Sequence, residues 1–160
     1  MWLWEIHGMT QKINITDLKS EDVEKVAEIE KMCFSKPWSE NSFKNALNDS
    51  NSKFFVVRLG SDIIGFSGMY IAAGAEGYVY NIAVNPLFRK KGIGTILTKK
   101  LINYAKENNL EFLSLEVRKS NNSAISVYEK CGFEKVGTRK NFYESPVEDA
   151  LIMTFYFSLK

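Results

Sequence analysis

One junction limits the folds open to this chain. An apolar-rich strand, Tyr78–Val84, runs through Asn85-Pro86 into Arg89-Lys90-Lys91-Gly92-Ile93-Gly94 and on into an amphipathic helix. Proline cannot donate to a ladder, so the strand has to stop there. The helix reads from about Gly92 to Glu107, because Ile93, Ile96, Leu97, Leu101, Tyr104 and Ala105 recur at helical spacing. Phe112–Arg118 then reads as a strand, with Phe112, Ser114, Glu116 and Arg118 on one face and Leu113, Leu115 and Val117 on the other. Strand, helix and strand at this spacing form a crossover, which places the two strands parallel in one sheet.

The remaining segments fit around that unit. Lys12–Thr16 alternates as a short strand, and Asp17 or Ser20 is placed to cap a helix carrying Val23, Val26, Ala27, Ile29 and Met32. Pro37 interrupts, and Ser39 can cap a second helix with Phe43, Ala46 and Leu47 on one stripe. Lys53–Arg58, Ile63–Ile71 and Tyr78–Val84, separated by glycine-bearing turns, suggest an antiparallel meander. A short helix capped at Asn122 ends at Gly132, and Phe133–Thr138 and Ala150–Phe157 flank a polar loop, Asn141–Asp149. The fold class is therefore α/β: a mixed central sheet of about seven strands with about four helices.

Composition narrows the function classes. A chain of 160 residues suits one domain with a real core. Lys plus Arg (21) against Asp plus Glu (19) leaves a net charge of +2, too little for a global field that would draw nucleic acid or an acidic membrane. Cys33 and Cys131 are too few for a disulfide scaffold, and His7 is the only histidine, which excludes a multi-histidine metal site. No apolar run approaches the roughly 20 residues of a membrane helix. Residues 1–8 read as a disordered leader before a single domain over 9–160, in a cytoplasmic protein acting as a monomer or weak homodimer.

The junction also carries chemistry. Glycines let backbone approach a ligand, and the unpaired N–H groups of a first helical turn attract an anion. Residues 89–100 hold Arg89, Lys90, Lys91, Lys99 and Lys100 and no acidic side chain. That combination suits a pyrophosphate. A Walker A loop is absent, and Leu97 stands where a Rossmann fingerprint needs its third glycine. An ordinary glycine-opened helix with a solvated basic face is the alternative.

Arg-x-x-Gly-x-Gly after a strand ending Asn-Ile-Ala-Val resembles the GNAT (GCN5-related) acetyltransferases, over about Ile13–Phe157. Lys36-Pro-Trp-Ser-Glu40, Tyr80-Asn-Ile-Ala-Val84, Leu115-Glu-Val-Arg-Lys-Ser-Asn121, Ala124–Phe133 and Glu148-Asp-Ala-Leu-Ile-Met153 are similar to the RimI type within that family. The resemblance implies acetyl-CoA as co-substrate, no metal, and a protein N-terminus as acceptor, that of ribosomal protein S18. It places Ile82, Ala83 and Val84 along the pantetheine arm and Lys90, Lys91, Gly92, Ile93, Gly94 and Thr95 around the pyrophosphate. Arg89 contacts phosphate or shapes the loop, and Asn121 contacts coenzyme A, caps a helix, or does both.

By the same resemblance Glu116 is the general base and Tyr128 the general acid. Glu116 would sit in a mostly buried sheet, where burial would raise its pKa toward the task. A structural ion pair is the plain alternative, as a core position is for Tyr128. Cys131 fits a buried helix residue better than a nucleophile. Trp38, Tyr143 and Glu144, with Glu148 and Asp149, are candidates to hold the acceptor between the Pro37-Trp38 loop and the Asn141–Asp149 loop. A small-amine acetyltransferase and a catalytically silent coenzyme A-binding module are the rival readings. An open groove favours a peptide, and a closed acidic pocket favours a small amine.

Overall fold

The computed structural model describes residues 3–6 and 9–158, with side chains from residue 12 onward. Its elements are β1 (Leu3–Ile6), β2 (Met9–Asp17), α1 (Val23–Cys33), α2 (Glu40–Leu47), β3 (Ser52–Leu59), β4 (Asp62–Ala72), β5 (Glu76–Val84), α3 (Ile93–Glu107), β6 (Phe112–Arg118), α4 (Asn122–Lys130), β7 (Glu134–Tyr143) and β8 (Glu148–Tyr156). They form one sheet in the order β1-β2-β3-β4-β5-β6-β8-β7. The seven expected strands are β2–β8. The eighth, β1, lies within the segment expected to be a disordered leader: Leu3–Ile6 pairs antiparallel with Met9–Lys12, and the rest of that leader lies outside the described residues.

Every neighbouring pair is antiparallel except β5 and β6, joined by the α3 crossover. Their pairing covers only Glu76–Tyr78 against Phe112–Ser114. Beyond that point the strands diverge, so β5 backbone groups facing β6 have no ladder partner there. Helices cover both faces. Val23, Val26, Ala27 and Ile29 of α1 and Phe43 of α2 pack on Phe54, Val56 and Phe66. Leu101 and Ala105 of α3 and Ile125 and Tyr128 of α4 pack on Leu113, Leu115, Val117 and Met153.

Capping follows local chemistry. Ser39 caps α2, its hydroxyl accepting from the Ser42 N–H at 3.1 Å. Asn121, one residue earlier than the expected Asn122, caps α4 and accepts from the Ala124 N–H at 3.2 Å. Neither Asp17 nor Ser20 caps α1. Asp17 ends β2, a 3-10 turn covers Ser20–Asp22, and Asp22 accepts from the Lys19 N–H at 3.0 Å.

A bulge in β5 aims the site. Gly68 pairs with Asn81 but Met69 pairs with Val79, so Tyr80 is the extra residue. The slip lets Tyr80 and Asn81 both face α1 and α2 and restores alternation from Ile82 onward. Gly68 is required opposite: a Cβ there would lie 2.1 Å from the Phe54 ring. Gly68→Ala should cost about 1–3 kcal/mol through overpacking, read by urea unfolding. An unchanged unfolding midpoint would contradict this packing.

Candidate active site

The divergence of β5 and β6 opens a cleft of about 390 Å³ lined by Ile82, Ala83 and Val84 on one side and by Asn121, Ser123, Ala124, Val127 and Tyr128 on the other. Arg89, Lys90, Gly92, Ile93, Gly94 and Thr95 close one end, and Cys33 and Phe34 of α1 and its exit close another. All but one of the residues expected around coenzyme A therefore line a single cleft. The exception is Lys91, which is not among the lining side chains. Lys100 is also turned away, its ammonium 5.0 Å from the Phe55 ring centre.

Glycines and the start of α3 form the end of the cleft. Gly92 caps α3 at φ 81°, a left-handed conformation that costs an L side chain about 1–2 kcal/mol. The first-turn N–H groups of α3 open there. A Cβ on Gly92 or Gly94 would meet no protein atom within 4 Å. The space beside them is thus open. Arg89 shapes the loop: its Nε donates to the Val84 carbonyl at 3.3 Å and its Nη2 lies 3.3 Å from Cys33 Sγ.

Tyr128 is 9% exposed, and its ring packs beside Phe133 with centroids 5.9 Å apart. Burial, followed by the neighbouring Tyr143 and Cys131, pushes its phenol well above the ordinary value of 10.0. Cys131 is half-buried and caps α4, with its thiol raised by burial; it does not line the cleft.

Glu116 departs from expectation. It is exposed, because α1 and α2 cover the sheet only as far as β5. Its carboxylate forms an ion pair with Arg139, Oε1 lying 3.0 Å from Nε. It lines a second cavity, a groove of about 810 Å³ on the α1–α2 face, floored by Tyr70, Tyr78, Tyr80, Phe112, Ile152 and Tyr156. Cleft and groove share no lining residue, and the divergent β5 and β6 separate them. Tyr143 lines neither the cleft nor the groove. Its phenol is pushed up to about 12 by burial and by Glu116, against the lowering effect of Arg118.

Arg118 organises the connection between β7 and β8. Its guanidinium stacks 4.4 Å from the Tyr143 ring and donates to the Glu144 and Pro146 carbonyls at 3.1 and 3.0 Å. It also meets the Glu148 carboxylate at 3.2 Å. The connection between β7 and β8 is shorter than expected, because the strands extend to Tyr143 and from Glu148. Lys36, on the α1–α2 connection, ion-pairs with Glu144 and holds its carboxyl below the usual range. Of the acceptor candidates, Trp38 packs 4.8 Å from Tyr80 and 5.3 Å from Phe43 and lies outside the groove lining. Glu148 accepts from the Ser120 N–H at 2.6 Å and Asp149 from the Asn141 N–H at 3.0 Å, both structural bonds. Arg139 and the aromatic floor went unforeseen, although tyrosines at alternate positions of β5 signal an open face.

The comparisons decide the family. The Acetyltransferase (GNAT) family model matches residues 23–133, from the start of α1 to the end of the α4 turn. The chain belongs to the GNAT acetyltransferases. Its fold is theirs, and the cleft between β5 and β6 suits the acetyl-CoA that GNAT enzymes use. A Haemophilus influenzae protein named [ribosomal protein bS18]-alanine N-acetyltransferase is 36% identical over 89% of this chain and 97% of its own. The crystal structure of the ribosomal-protein-S18-alanine N-acetyltransferase from Escherichia coli superposes with a TM-score of 0.85 at 30% identity, covering 93% of this chain and 96% of that one. Arabidopsis thaliana NAA60 in complex with acetyl-CoA shares the fold, with a TM-score of 0.82 at 20% identity over 91% of this chain and 98% of that one. No helix among the described residues is long and apolar enough to cross a membrane. No group of three or more metal-ligating side chains occurs among them.

Proposed function

We propose that this protein acetylates the α-amine of a protein N-terminus, with the N-terminal alanine of ribosomal protein S18 as acceptor. The observation that carries this reading is the open groove beside the divergent β5 and β6, on the far side of the strands from the acetyl-CoA cleft. Its volume of about 810 Å³ and its aromatic floor suit a peptide segment. The names of the relatives support the same acceptor.

In this reading Lys90 and Gly92–Thr95 bind the pyrophosphate, and Ile82–Val84 bind the pantetheine arm through their backbone. An α-ammonium has a pKa of about 7.7–8.0, so Glu116 needs only to accept its proton, directly or through a water. The amine nitrogen attacks the thioester carbon. A β5 N–H beside the divergence, that of Ile82, receives the developing oxyanion. Collapse breaks the C–S bond, and the Tyr128 hydroxyl donates a hydrogen bond to the departing thiolate. No side chain is acylated, so Cys131→Ala should retain full turnover.

The direct test is acetyl-CoA turnover with peptides beginning in Ala, Ser, Met or Lys, alongside polyamines. Turnover with the alanine peptide is expected to exceed the others. Turnover confined to small amines would overturn the protein-acceptor reading. Gly94→Ala tests the cofactor end. It should fold with an unchanged or slightly higher Tm, since alanine favours helix by up to about 1 kcal/mol. Its KM for acetyl-CoA should rise tenfold or more as the new methyl enters the phosphate space. An unchanged KM would place the pyrophosphate elsewhere.

A further inference from the structure

Glu30 is out of place on α1. It shares the buried face with Val26, Ala27 and Ile29 and is only 2% exposed. A buried carboxylate normally has a cation beside it, and this one has amides. Its oxygens accept from the Trp38 backbone N–H at 3.1 Å and from Asn81 Nδ2 at 3.0 and 2.9 Å. For packing alone, a leucine would fill this space without desolvating a charge. The value of Glu30 therefore lies in what it joins.

It joins the two halves of the site. Cys33 and Phe34, at the start of the α1–α2 connection, line the acetyl-CoA cleft. Trp38, at its end, packs edge-on against Tyr80 of the groove. Asn81 has the same double position on β5: Tyr80 before it lines the groove and Ile82 after it lines the cleft. The bulge at Tyr80 is what turns Asn81 toward α1. Glu30 thus bonds the connection to the strand where cleft and groove adjoin.

We propose that Glu30 is a positioning residue for acetyl transfer, which ties the Trp38 segment to Asn81 and so aligns the acceptor amine with the thioester. This rests on the N-terminal acetylation reading above. Misplacement by about 1 Å can cost on the order of 100-fold in rate. A fold that merely needs filling there would lose nothing.

Two substitutions separate these cases. Glu30→Leu removes both links, and kcat should fall at least tenfold with the KM for acetyl-CoA within twofold. Glu30→Gln keeps an acceptor for the Trp38 N–H. If the Asn81 amide turns over, its Oδ1, which is buried without a partner, can accept from the new N–H₂. It should recover kcat to within threefold. A folded Glu30→Leu protein with wild-type kcat would overturn the proposal, as would equal losses in both variants. Should Glu30→Leu not fold, Asn81→Ala cuts only the β5 link and should show the same kcat loss; wild-type kcat there counts against the proposal. Hydrogen exchange at the Trp38 amide needs no acceptor. Acetyl-CoA should slow it in the wild type and not in Asn81→Ala; no effect in the wild type would overturn the link. If the wild type acetylates no N-terminus, the functional reading fails, and the exchange experiment still judges Glu30.

Discussion

Tyr128→Phe is expected to lower kcat about 100-fold, with the KM for acetyl-CoA within about twofold and the Tm nearly unchanged. Phenylalanine keeps the contact with Phe133 and the packing under α4, so only the hydroxyl is lost. That hydroxyl borders the acetyl-CoA cleft. A leaving thiolate has a conjugate thiol near pKa 8.5, and burial holds the phenol above its ordinary 10.0. Full proton transfer from the phenol is therefore uphill, and the contribution proposed for it is a donated hydrogen bond at the developing charge. Removing one such donor costs about 10²–10³ in kcat. The same burial fixes the pH dependence. Ionisation would destroy the donor, and it is displaced upward, so kcat should show no alkaline fall from this group below pH 10. Stopped-flow or steady-state rates from pH 7 to pH 10 check both points. A loss below threefold, or an alkaline limb near pH 9 abolished by Tyr128→Phe, would remove Tyr128 from the transfer step.

Much of the scaffold was legible because short-range patterns determine it. The β5–α3–β6 crossover follows from one strand, one apolar helical stripe and the next strand, and the left-handed cap at Gly92 follows from glycine opening a basic helix. The cleft proposed for acetyl-CoA lies at that junction, lined by ten of the eleven residues expected around coenzyme A. Glu116 shows where such reading stops. Alternation gives its face of β6 but not what covers that face, and two short helices leave the β6–β8–β7 part bare. The pairing with Arg139 was equally out of reach, because it needs β7 and β8 to extend past Thr138 and to start before Ala150. The bulge at Tyr80 left no mark in the alternation of Tyr78-Val79-Tyr80. Without it Asn81 would point away from α1, and the Glu30 contact would not exist. Lys36–Glu144 and the Arg118 contacts join segments about a hundred residues or several elements apart, which no local pattern records.

Glu30→Gln should stabilise the protein at pH 8 by about 3 kcal/mol and leave it nearly unchanged at pH 4.5. Burial lifts the Glu30 carboxyl from 4.5 to about 7, and only the Trp38 N–H and the Asn81 amide oppose the shift. Among the described residues no ionisable side chain perturbs it. The folded state therefore binds a proton more tightly than the unfolded chain. Stability then falls as pH rises from about 4.5 to about 7 and levels off above, where ionised Glu30 carries its full desolvation cost. A shift of about 2.5 pK units corresponds to about 3 kcal/mol, or roughly 6–12 °C in Tm for a domain of this size. Glutamine mimics the protonated form at every pH, so the difference between the two proteins isolates this group from all other titrations. Urea unfolding at pH 4.5, 6 and 8 should give curves that separate as pH rises, with the variant the more stable. Parallel curves would mean that the carboxylate finds water or a cation in solution. Higher stability combined with retained kcat in Glu30→Gln, against lost kcat in Glu30→Leu, would assign the hydrogen bonds to alignment and the charge to a cost borne by the fold.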